Sequence, residues 1–452
     1  MPTTFDYFIV GTGPTGQSFA QEAAKAGHRV GITDSRAYGG TCPLRGCDPK
    51  KVLLAAAQAM NAVDLLKGKG FEARPPFNWA DLQAWKREFT TPIPENSREK
   101  LEEAGIHCFD GQASFTAPHQ LRVGEEDIRA DNVVLATGAR PAPLDFPGAD
   151  LLLTSEGFLD QDELPAEIVI VGGGYIGAEF AHIACVLGSK VIVIASEDRP
   201  VSKFDDDLNG LLANAARERG MMLHFNSKAS RVEDIGEGRV RVHFTDADDN
   251  ETTVEADRAF HAAGRVPNLE ALELDRAGID HGKQGIAVDS SLCTSVRAHY
   301  AIGDCADSGL PLTPVGTHEA SLLADNLLHG KSRTIDYFPV PTLAFTIPPI
   351  ASVGMTADEA ADSDRNLHIN YEETTDWFHT RHQNGIVSAH KLIIDTDEDV
   401  LLGAHLLGPG ADEMINLLTL AIHQRIPLEA LRKMVWAYPT GSSNIGGMVK
   451  VE

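Results

Sequence analysis

The chain has 452 residues, 43% hydrophobic and 23% charged, which leaves room for roughly two to four domains with sizeable cores. Its 65 acidic residues outnumber 39 basic ones, giving a formal net charge of −26. This charge argues against nucleic acid or an anionic membrane as a partner, because both select a basic face. Ordinary solubility and adaptation to high salt both account for the acidity.

The first residues run at once into a strand, and no apolar run reaches the length of a membrane span, so we expect a cytoplasmic protein. Six cysteines are too few for a disulfide scaffold in a chain of this length. Four of them are scattered and are expected to be buried small side chains: Cys108, Cys185, Cys293 and Cys305. Only Cys42 and Cys47 form a patterned pair.

A dinucleotide-binding pattern opens the chain. A buried strand, Phe5 to Val10, leads into the turn Gly11-Thr12-Gly13-Pro14-Thr15-Gly16. A helix to about Ala26 and a strand from Arg29 to Thr33, ending at Asp34, follow. The three glycines allow a tight turn and close approach of the backbone to a pyrophosphate, while the helix N-terminus faces its negative charge.

The cysteine pair follows this pattern directly. It lies in Gly39-Gly40-Thr41-Cys42-Pro43-Leu44-Arg45-Gly46-Cys47-Asp48-Pro49-Lys50-Lys51. A nucleotide site and two close cysteines, this near in sequence, indicate electrons passing from a cofactor to a disulfide. Since the thiolate is the reactive form, we expect the N-terminus of a helix beginning near Pro49 to lower a thiol pKa. No second pair of ligands at metal spacing accompanies the cysteines, so no metal site is predicted.

The middle of the chain repeats the nucleotide pattern. Helical stretches are predicted over Val52–Met60 and Trp79–Glu103, and a buried strand over Asp131–Gly138. The second copy comprises a strand over Glu167–Val171, the turn Gly172-Gly173-Gly174-Tyr175-Ile176-Gly177, a helix over Ala178–Leu187 and a strand over Lys190–Ala195. One such match is weak, but the same order found twice strongly indicates two nucleotide sites.

The last third of the chain changes character. A strand over Tyr300–Asp304 ends in Gly-Asp, and hydrophobic strands are predicted over Lys391–Ile394 and Leu401–Leu407. A long apolar helix over about Asp412–His423 completes a tail that suits an interface.

In their order along the chain, these motifs resemble the pyridine nucleotide-disulfide oxidoreductases, which include glutathione reductase, lipoamide dehydrogenase and mercuric reductase. The resemblance covers essentially the whole chain and includes Ala136-Thr137-Gly138, Ala263-Gly264-Arg265-Val266-Pro267-Asn268 and Ala301-Ile302-Gly303-Asp304. It implies an α/β protein with Rossmann-like FAD and NAD(P) domains and a C-terminal α+β dimerisation domain that forms a homodimer. The expected bounds are 1–150 for FAD, 151–270 for NAD(P), 271–335 for a return segment and 336–452 for dimerisation.

The resemblance also implies residue roles. Cys47 matches the charge-transfer thiolate beside the flavin, and Cys42 matches the interchange cysteine that attacks the substrate. Asp34 matches the acid on the adenosine ribose, Asp304 the acid on the ribityl chain, and Thr313 the pyrimidine edge.

Further roles concern the nicotinamide side. Lys50 and Glu179 resemble the ion pair near the reactive flavin nitrogen, although in some members the lysine falls at the place of Lys51. Tyr175 matches the tyrosine that covers the nicotinamide pocket, with a packing role as the alternative. The remaining predicted cofactor contacts are Gly11, Gly13, Gly16, Gly40, Thr41, Lys51, Ala113, Thr137, Gly138, Gly172, Gly174, Gly177, Glu197 and Gly264.

The tail departs from the family pattern. Glutathione reductases and lipoamide dehydrogenases have a catalytic histidine before Pro-Thr and a glutamate after it, where this chain has Tyr438 and Ser443. A phenol with an ordinary pKa near 10 is a poor base at neutral pH, so reduction of an organic disulfide is in doubt. Mercuric reductases share Tyr-Pro but add a C-terminal cysteine pair that this sequence lacks. His318 is the other candidate base, with a structural role favoured.

Substrate and coenzyme positions differ as well. Gln21 and Ser321 stand where glutathione reductases carry arginines for the substrate carboxylates. Ser196 and Ser202 stand where NADPH-specific members carry arginines, and Glu197 would repel a 2′-phosphate, so NADH is favoured over NADPH.

The sequence therefore predicts an FAD-dependent oxidoreductase that passes electrons from NAD(P)H through flavin to Cys42–Cys47, with Tyr438 among the candidate catalytic residues. The final acceptor is a small molecule, either a disulfide or another oxidant. A metal-ion or quinone reductase using the same relay is the alternative enzyme. A redox-sensing or complex-associated component is the alternative from another class.

Overall fold

A computed structural model describes residues 2–450. The strands in chain order are β1 Thr3–Val10, β2 Val30–Asp34, β3 His107–Asp110, β4 Ala113–Ala117, β5 Gln120–Val123, β6 Glu126–Leu135, β7 Ala139–Pro141, β8 Glu167–Val171, β9 Lys190–Ile194, β10 Met222–His224, β11 Lys228–Gly236, β12 Arg239–Thr245, β13 Glu251–Ala256, β14 Arg258–His261, β15 Arg265–Pro267, β16 His281–Gly282, β17 Gly285–Ala287, β18 His299–Ala301, β19 Ala306–Asp307, β20 Thr342–Ala344, β21 Ile350–Gly354, β22 Leu367–Glu373, β23 Ala389–Asp395 and β24 Val400–Leu407.

The helices in chain order are α1 Pro14–Lys25, α2 Thr41–Arg45, α3 Cys47–Leu65, α4 Trp79–Thr90, α5 Ile93–Glu103, α6 Ser155–Leu159, α7 Tyr175–Leu187, α8 Asp206–Glu218, α9 Leu274–Ala277, α10 Thr313–His329, α11 Ala357–Ala361, α12 Phe378–Arg381, α13 Ala411–His423, α14 Leu428–Lys433 and α15 Ile445–Met448. None of the helices in the described part of the chain is both long and apolar enough to cross a membrane.

The first compact unit consists of the chain up to Val52, Gln83–Pro143 and Gly264–Tyr337. Its main sheet has the order β3-β2-β1-β6-β5-β4, and β18 also pairs with β6. The strands β2, β1, β6 and β18 are parallel to one another, whereas β5 is antiparallel to β6. Strand β1 lies in the interior of the sheet, where Phe8 and Ile9 are fully buried. The predicted first strand, helix and second strand are thus confirmed.

The second compact unit consists of Leu53–Leu82, Leu144–Ala263 and the chain from Phe338 onward. It contains a parallel sheet in the order β10-β9-β8-β14 and an antiparallel sheet in the order β20-β21-β24-β23-β22. Helix α13 packs its apolar face on the antiparallel sheet in one hydrophobic cluster. The mixed α/β class predicted from the sequence is confirmed, whereas the four predicted domain bounds stay a prediction.

Two helices differ from those predicted from the sequence: one predicted helix is divided in two, and another begins earlier. The stretch predicted as helical over Trp79–Glu103 is divided into α4 and α5 at Thr91 and Pro92. Pro92 lacks the backbone N–H that would continue α4, and its ring clashes with the preceding turn. Helix α3 begins at Cys47 rather than near Pro49, so the cysteine itself occupies the first helical position.

Candidate redox and nucleotide sites

The first glycine turn forms a cradle that has no space for side chains. A Cβ on Gly11, whose φ is +115°, would lie 2.2 Å from the carbonyl oxygen of Ala136. A Cβ on Gly16 would lie 2.1 Å from the carbonyl oxygen of Gly11, and one on Gly40 would lie 2.4 Å from the Cα of Gly13. Bare backbone therefore meets at the start of α1, which is the geometry that a pyrophosphate needs.

Asp34 is fixed at the end of β2 by residues of this turn. Its carboxylate accepts the backbone N–H of Thr12 at 2.8 Å and the Thr12 hydroxyl at 2.7 Å. The backbone N–H of Arg36 donates to its other oxygen at 2.9 Å. Sequence reasoning missed Thr12, although a hydroxyl between the first two glycines was the available signal.

Four motifs that are distant in sequence meet at one edge of the first unit. Gly11, Ala136 and Gly303 follow β1, β6 and β18, whose carboxyl ends are neighbours because these strands are parallel. Pairing of β7 with β15 adds the Gly264 segment, and the Asn268 N–H donates to the carbonyl of Gly138 at 2.9 Å. Ligands of open α/β sheets bind at this edge.

Asp304 lies in the short turn after β18. Its burial raises the pKa of the carboxyl group, and the negative charge of Glu319 raises the pKa further, while the guanidinium of Arg265 opposes both effects. Thr137 and Gly138 follow β6 at the same edge. Together with the cradle, these residues fit FAD: the glycines admit a pyrophosphate, and the two acids offer acceptors to sugar hydroxyls.

The two cysteines are neighbouring thiols at the starts of two successive helices. Cys42 is the second residue of α2 and partly buried, and Cys47 is the first residue of α3 and exposed. The Cys47 side chain hydrogen bonds to Cys42 and is the largest of the effects that together lower the pKa of the Cys42 thiol to about 7. The Thr313 side chain lowers this pKa as well, whereas burial and the charge of Asp48 raise it.

The predicted contribution of the helix N-terminus is present but is not the largest one. The backbone N–H of Cys47, the first residue of α3, lowers the pKa of Cys42, but the Cys47 side chain lowers it more, and the Thr313 side chain also contributes. Thr313 begins α10, and its side chain hydrogen bonds to Cys42, so it lies beside the cysteine pair. Its predicted role at the flavin pyrimidine edge stays a prediction.

This pKa sets the pH range in which Cys42 reacts. In the reduced protein, we expect the rate of Cys42 carboxymethylation to rise with pH through a midpoint near 7, since only the thiolate attacks. Cys47→Ala and Thr313→Val should each move the midpoint upward, with the larger move in Cys47→Ala. Thr317→Val serves as the control, because it removes an exposed hydroxyl that donates to the Thr313 backbone carbonyl and leaves the Thr313 side chain unchanged. Mass spectrometry of the labelled peptide measures the rates, and an unchanged midpoint in Cys47→Ala would contradict the assignment.

The second glycine turn repeats the first one in the second unit. A Cβ on Gly172 would lie 2.3 Å from the backbone of Ala262, and one on Gly177 would lie 2.0 Å from the Gly172 carbonyl oxygen. Gly174, by contrast, faces open space. This cradle fits the pyrophosphate of a nicotinamide coenzyme for the same reason.

The residues around this turn are placed as follows. Tyr175 begins α7, partly buried, with its ring edge-on to Phe204 at 5.5 Å between centroids, and burial raises the pKa of its phenol. One turn along α7, Glu179 is 8% exposed and accepts the Phe345 N–H at 2.8 Å. Lys50 is 6% exposed in α3. Because Lys50 and Glu179 belong to different units, their predicted ion pair stays a prediction.

The segment after β9, which the sequence predicted to select the coenzyme, carries acidic groups. Glu197 is exposed and accepts a hydrogen bond from the Ser196 hydroxyl at 3.3 Å. The Arg199 guanidinium pairs with Asp198 at 3.2 Å and with Asp206 at 2.7 Å. The nearby arginine is therefore already neutralised by two carboxylates.

The remaining predicted residues are dispersed. Tyr438 is 78% exposed, and Ser443 is held in a local turn, its hydroxyl donating to the Thr440 carbonyl at 2.6 Å. His318 is exposed on α10, Thr41 begins α2, Lys51 is exposed in α3, and Ala113 begins β4 with its side chain in the core. In residues 2–450, no group of three or more histidine, cysteine or acidic side chains is arranged to hold a metal ion.

Comparisons with known proteins identify the relatives of this chain. Residues 5–320 match the family described as pyridine nucleotide-disulphide oxidoreductase, and residues 340–449 match its dimerisation domain. A glutathione reductase of Burkholderia cepacia is 32% identical over 96% of both chains. A dihydrolipoyl dehydrogenase of Halobacterium salinarum is 31% identical over 97% of this chain and 94% of its own. The Cu(II) complex of the HOCl-induced flavoprotein disulfide reductase RclA from Escherichia coli superposes with a TM-score of 0.89 at 28% identity, covering 99% of each chain.

Proposed function

This chain belongs to the pyridine nucleotide-disulphide oxidoreductases, and from that membership we propose which of its residues carry electrons from a nicotinamide to an acceptor. FAD, when bound, takes a hydride from the nicotinamide and delivers two electrons to a protein disulfide. Cys42 and Cys47 form that disulfide. The observation that carries the proposal is their hydrogen-bonded contact, together with the lowered pKa of Cys42.

The lowered pKa of Cys42 and the family pattern assign different roles to the two thiols. With an organic disulfide as acceptor, the Cys42 thiolate attacks one sulfur, a mixed disulfide forms and the first substrate thiolate leaves. Cys47 then attacks Cys42, the protein disulfide re-forms and the second substrate thiolate leaves. Two electrons thus move to the substrate, and each departing thiolate takes up one proton.

The cofactor cradles set the remaining roles. The backbone of Gly11, Gly13, Gly16 and Gly40 would hold the FAD pyrophosphate, while Asp34 and Asp304 would accept hydrogen bonds from its hydroxyl groups. In the second unit, Gly172 and Gly177 would hold the coenzyme, and Tyr175 would cover its nicotinamide end. Glu179, fixed by the Phe345 N–H, would act with Lys50 beside the reactive ring.

Reduction of a thiol-binding metal ion, Cu(II), is the second candidate function. The tail has Tyr438 and Ser443 at the positions where an imidazole, oriented by a carboxylate, would protonate a departing thiolate, and RclA was solved with Cu(II). Oxidising the Cys42–Cys47 dithiol with two Cu(II) ions yields a disulfide, two Cu(I) ions and two protons. This reaction requires no general acid, which is why the substituted tail favours it.

An acceptor screen on the purified holoenzyme separates these functions. NADH and NADPH oxidation is measured with glutathione disulfide, a quinone and Cu(II), the last with a chelator that reports Cu(I), and Cys42→Ser is run beside the wild type. Turnover that is lost in Cys42→Ser identifies a dithiol-dependent acceptor. Flavin that is reduced without turnover on any acceptor would instead support the redox-sensing alternative.

A homodimer is proposed through the C-terminal domain. The described surface exposes apolar side chains just before the tail motif, including Met434 at 54% and Val435 at 95% exposure. Their proximity to Tyr438, together with the dimerisation-domain match, supports a second copy of this chain as the group that covers them.

NADH is the proposed coenzyme, and Glu197 is the residue that we expect to select it. Its exposed carboxylate would repel a 2′-phosphate and accept a bond from a ribose hydroxyl. Glu197→Arg should therefore lower the ratio of kcat/KM for NADH to that for NADPH by about tenfold or more. Glu218→Arg, at the exposed end of α8, is the matched control for charge alone. An unchanged ratio in Glu197→Arg would contradict the assignment.

A further inference from the structure

Glu319 is a buried carboxylate for which the electron relay has no use. It lies in α10 with only 1% of its surface exposed. One oxygen accepts the backbone N–H of Gly303 at 2.5 Å, and the other accepts the Ser308 hydroxyl at 2.6 Å and the Tyr337 phenol. A buried charge is tolerated when donors surround it, and here three donors converge on one side chain.

The backbone that Glu319 holds is the turn that carries Asp304. Gly303 has φ +70°, in the left-handed region, and opens the short turn that contains Asp304. On its other side, Gly303 meets α1, since a Cβ added there would lie 3.2 Å from the Thr15 hydroxyl. Gly316 of α10 packs closely against the same side chain, because a Cβ added to Gly316 would lie 2.3 Å from the Thr15 hydroxyl.

Tyr337, at the end of the first unit, is the third residue that hydrogen bonds to Glu319. Its ring packs over Gly309, where an added Cβ would lie 3.0 Å from the ring, and its hydroxyl reaches Glu319. Tyr337 is the last residue of that unit before the chain continues at Phe338. The buried Glu319 carboxylate thus hydrogen bonds to three separate segments: the Gly303 turn, the loop at Ser308 and Tyr337 at the end of the first unit.

We infer that Glu319 is a positioning residue that holds the Gly303–Asp304 turn in place for the ribityl chain of FAD. The inference rests on the proposed function, in which Asp304 binds the flavin. In this inference, FAD is retained because the Glu319 side chain is long enough to accept the hydrogen bond from the Gly303 N–H. The negative charge of Glu319 is not what retains FAD, because a like charge beside Asp304 opposes ionisation of the acid that binds the hydroxyl groups.

Two conservative variants separate reach from charge. Glu319→Gln keeps the reach and loses the charge: its amide oxygen can accept from Gly303, and the two hydroxyls can rotate to accept from its NH₂ group. Glu319→Asp keeps the charge but withdraws the carboxylate by one carbon–carbon bond, so that it cannot reach Gly303 and both hydroxyls together. Glu373→Gln and Glu373→Asp are matched controls, since Glu373 also accepts from a tyrosine, Tyr371, but on the surface.

The measurement is the rate of FAD release from the purified holoenzyme in sub-denaturing urea, read as the rise of flavin fluorescence. Far-UV circular dichroism of the same samples reports unfolding. We expect Glu319→Asp to release FAD about tenfold faster than wild type, which is the effect that loss of one hydrogen bond to a charged group would have. This release should precede any loss of ellipticity. Glu319→Gln should stay within about threefold of wild type, and both Glu373 variants should match it.

The inference is overturned if Glu319→Gln releases FAD fast, whatever the rate of Glu319→Asp, or if neither variant differs from wild type. If Glu319→Asp does not yield folded holoenzyme, the rate of FAD release from Glu319→Gln decides. A rise in that rate would show that the charge of Glu319 retains FAD, and an unchanged rate would support the inference. Asp304→Asn is the arm that tests the proposed function. If this variant keeps FAD as wild type does, the role of Asp304 itself fails; if only the Glu319 variants are silent, the inference alone fails.

Discussion

Replacing Cys42 by serine is expected to lower dithiol-dependent turnover by at least about a thousandfold, while NAD(P)H still reduces the bound flavin. The reason is that serine at this position removes the sulfur that attacks the acceptor but leaves the hydride-transfer side unchanged. After anaerobic reduction, a long-wavelength charge-transfer absorbance should persist in Cys42→Ser, because Cys47 is the thiolate that we propose to lie beside the flavin. The same absorbance should be lost in Cys47→Ser.

Cys108→Ser is the matched control for this pair of variants. Burial raises the pKa of the Cys108 thiol, so it is protonated at neutral pH and should contribute to neither turnover nor absorbance. Stopped-flow spectra of the three variants decide the assignment. If the absorbance disappears in Cys42→Ser and persists in Cys47→Ser, the roles of the two cysteines are exchanged. If Cys42→Ser keeps full turnover, the acceptor takes its electrons without the dithiol.

The repeated glycine turns made most of the fold predictable. A strand that runs into closely spaced glycines and then into a helix constrains the backbone locally, and β8 has the bounds predicted for it. The ends of helices were less predictable, because a single residue such as proline is compatible with more than one helix start. Pro49 suggested a helix start, yet the helix begins two residues earlier, because proline is tolerated anywhere in the first turn of a helix.

The site was predictable only as far as its parts lie in motifs. Asp34 and the cysteines stand at recognisable positions, but the contact of Thr313 with Cys42 joins segments that are far apart in the chain. Glu319 is a stronger case: its helical spacing from Val315 and Leu322 places it on the buried face of α10, but nothing in the local sequence identifies its donors, which are Gly303, Ser308 and Tyr337. Such contacts depend on which loops the sheet order brings together, and a single sequence does not encode that order in any local pattern.

Turnover with glutathione disulfide is expected to be very poor in the wild-type protein, because the tail carries no imidazole to protonate the departing thiolate. Tyr438 is exposed, and a phenol is a much weaker acid than an imidazolium, while the Ser443 hydroxyl donates to the Thr440 carbonyl. General acid–base catalysis is typically worth about 10²–10⁴-fold. Tyr438→His combined with Ser443→Glu should therefore raise the rate of disulfide reduction by up to about that factor.

Steady-state NADH oxidation with glutathione disulfide measures this gain, and the single variants dissect it. Tyr438→His alone should recover part of the rate, whereas Ser443→Glu alone should recover none, since a carboxylate without an imidazole has no ring to orient. Reduction of Cu(II) should not rise in the double variant, because that reaction releases protons and requires no general acid. The prediction fails if wild type already reduces glutathione disulfide as fast as its flavin is reduced. In that event another group performs the proton transfer, and His318→Gln, at an exposed position on the helix that Thr313 begins, tests the first candidate.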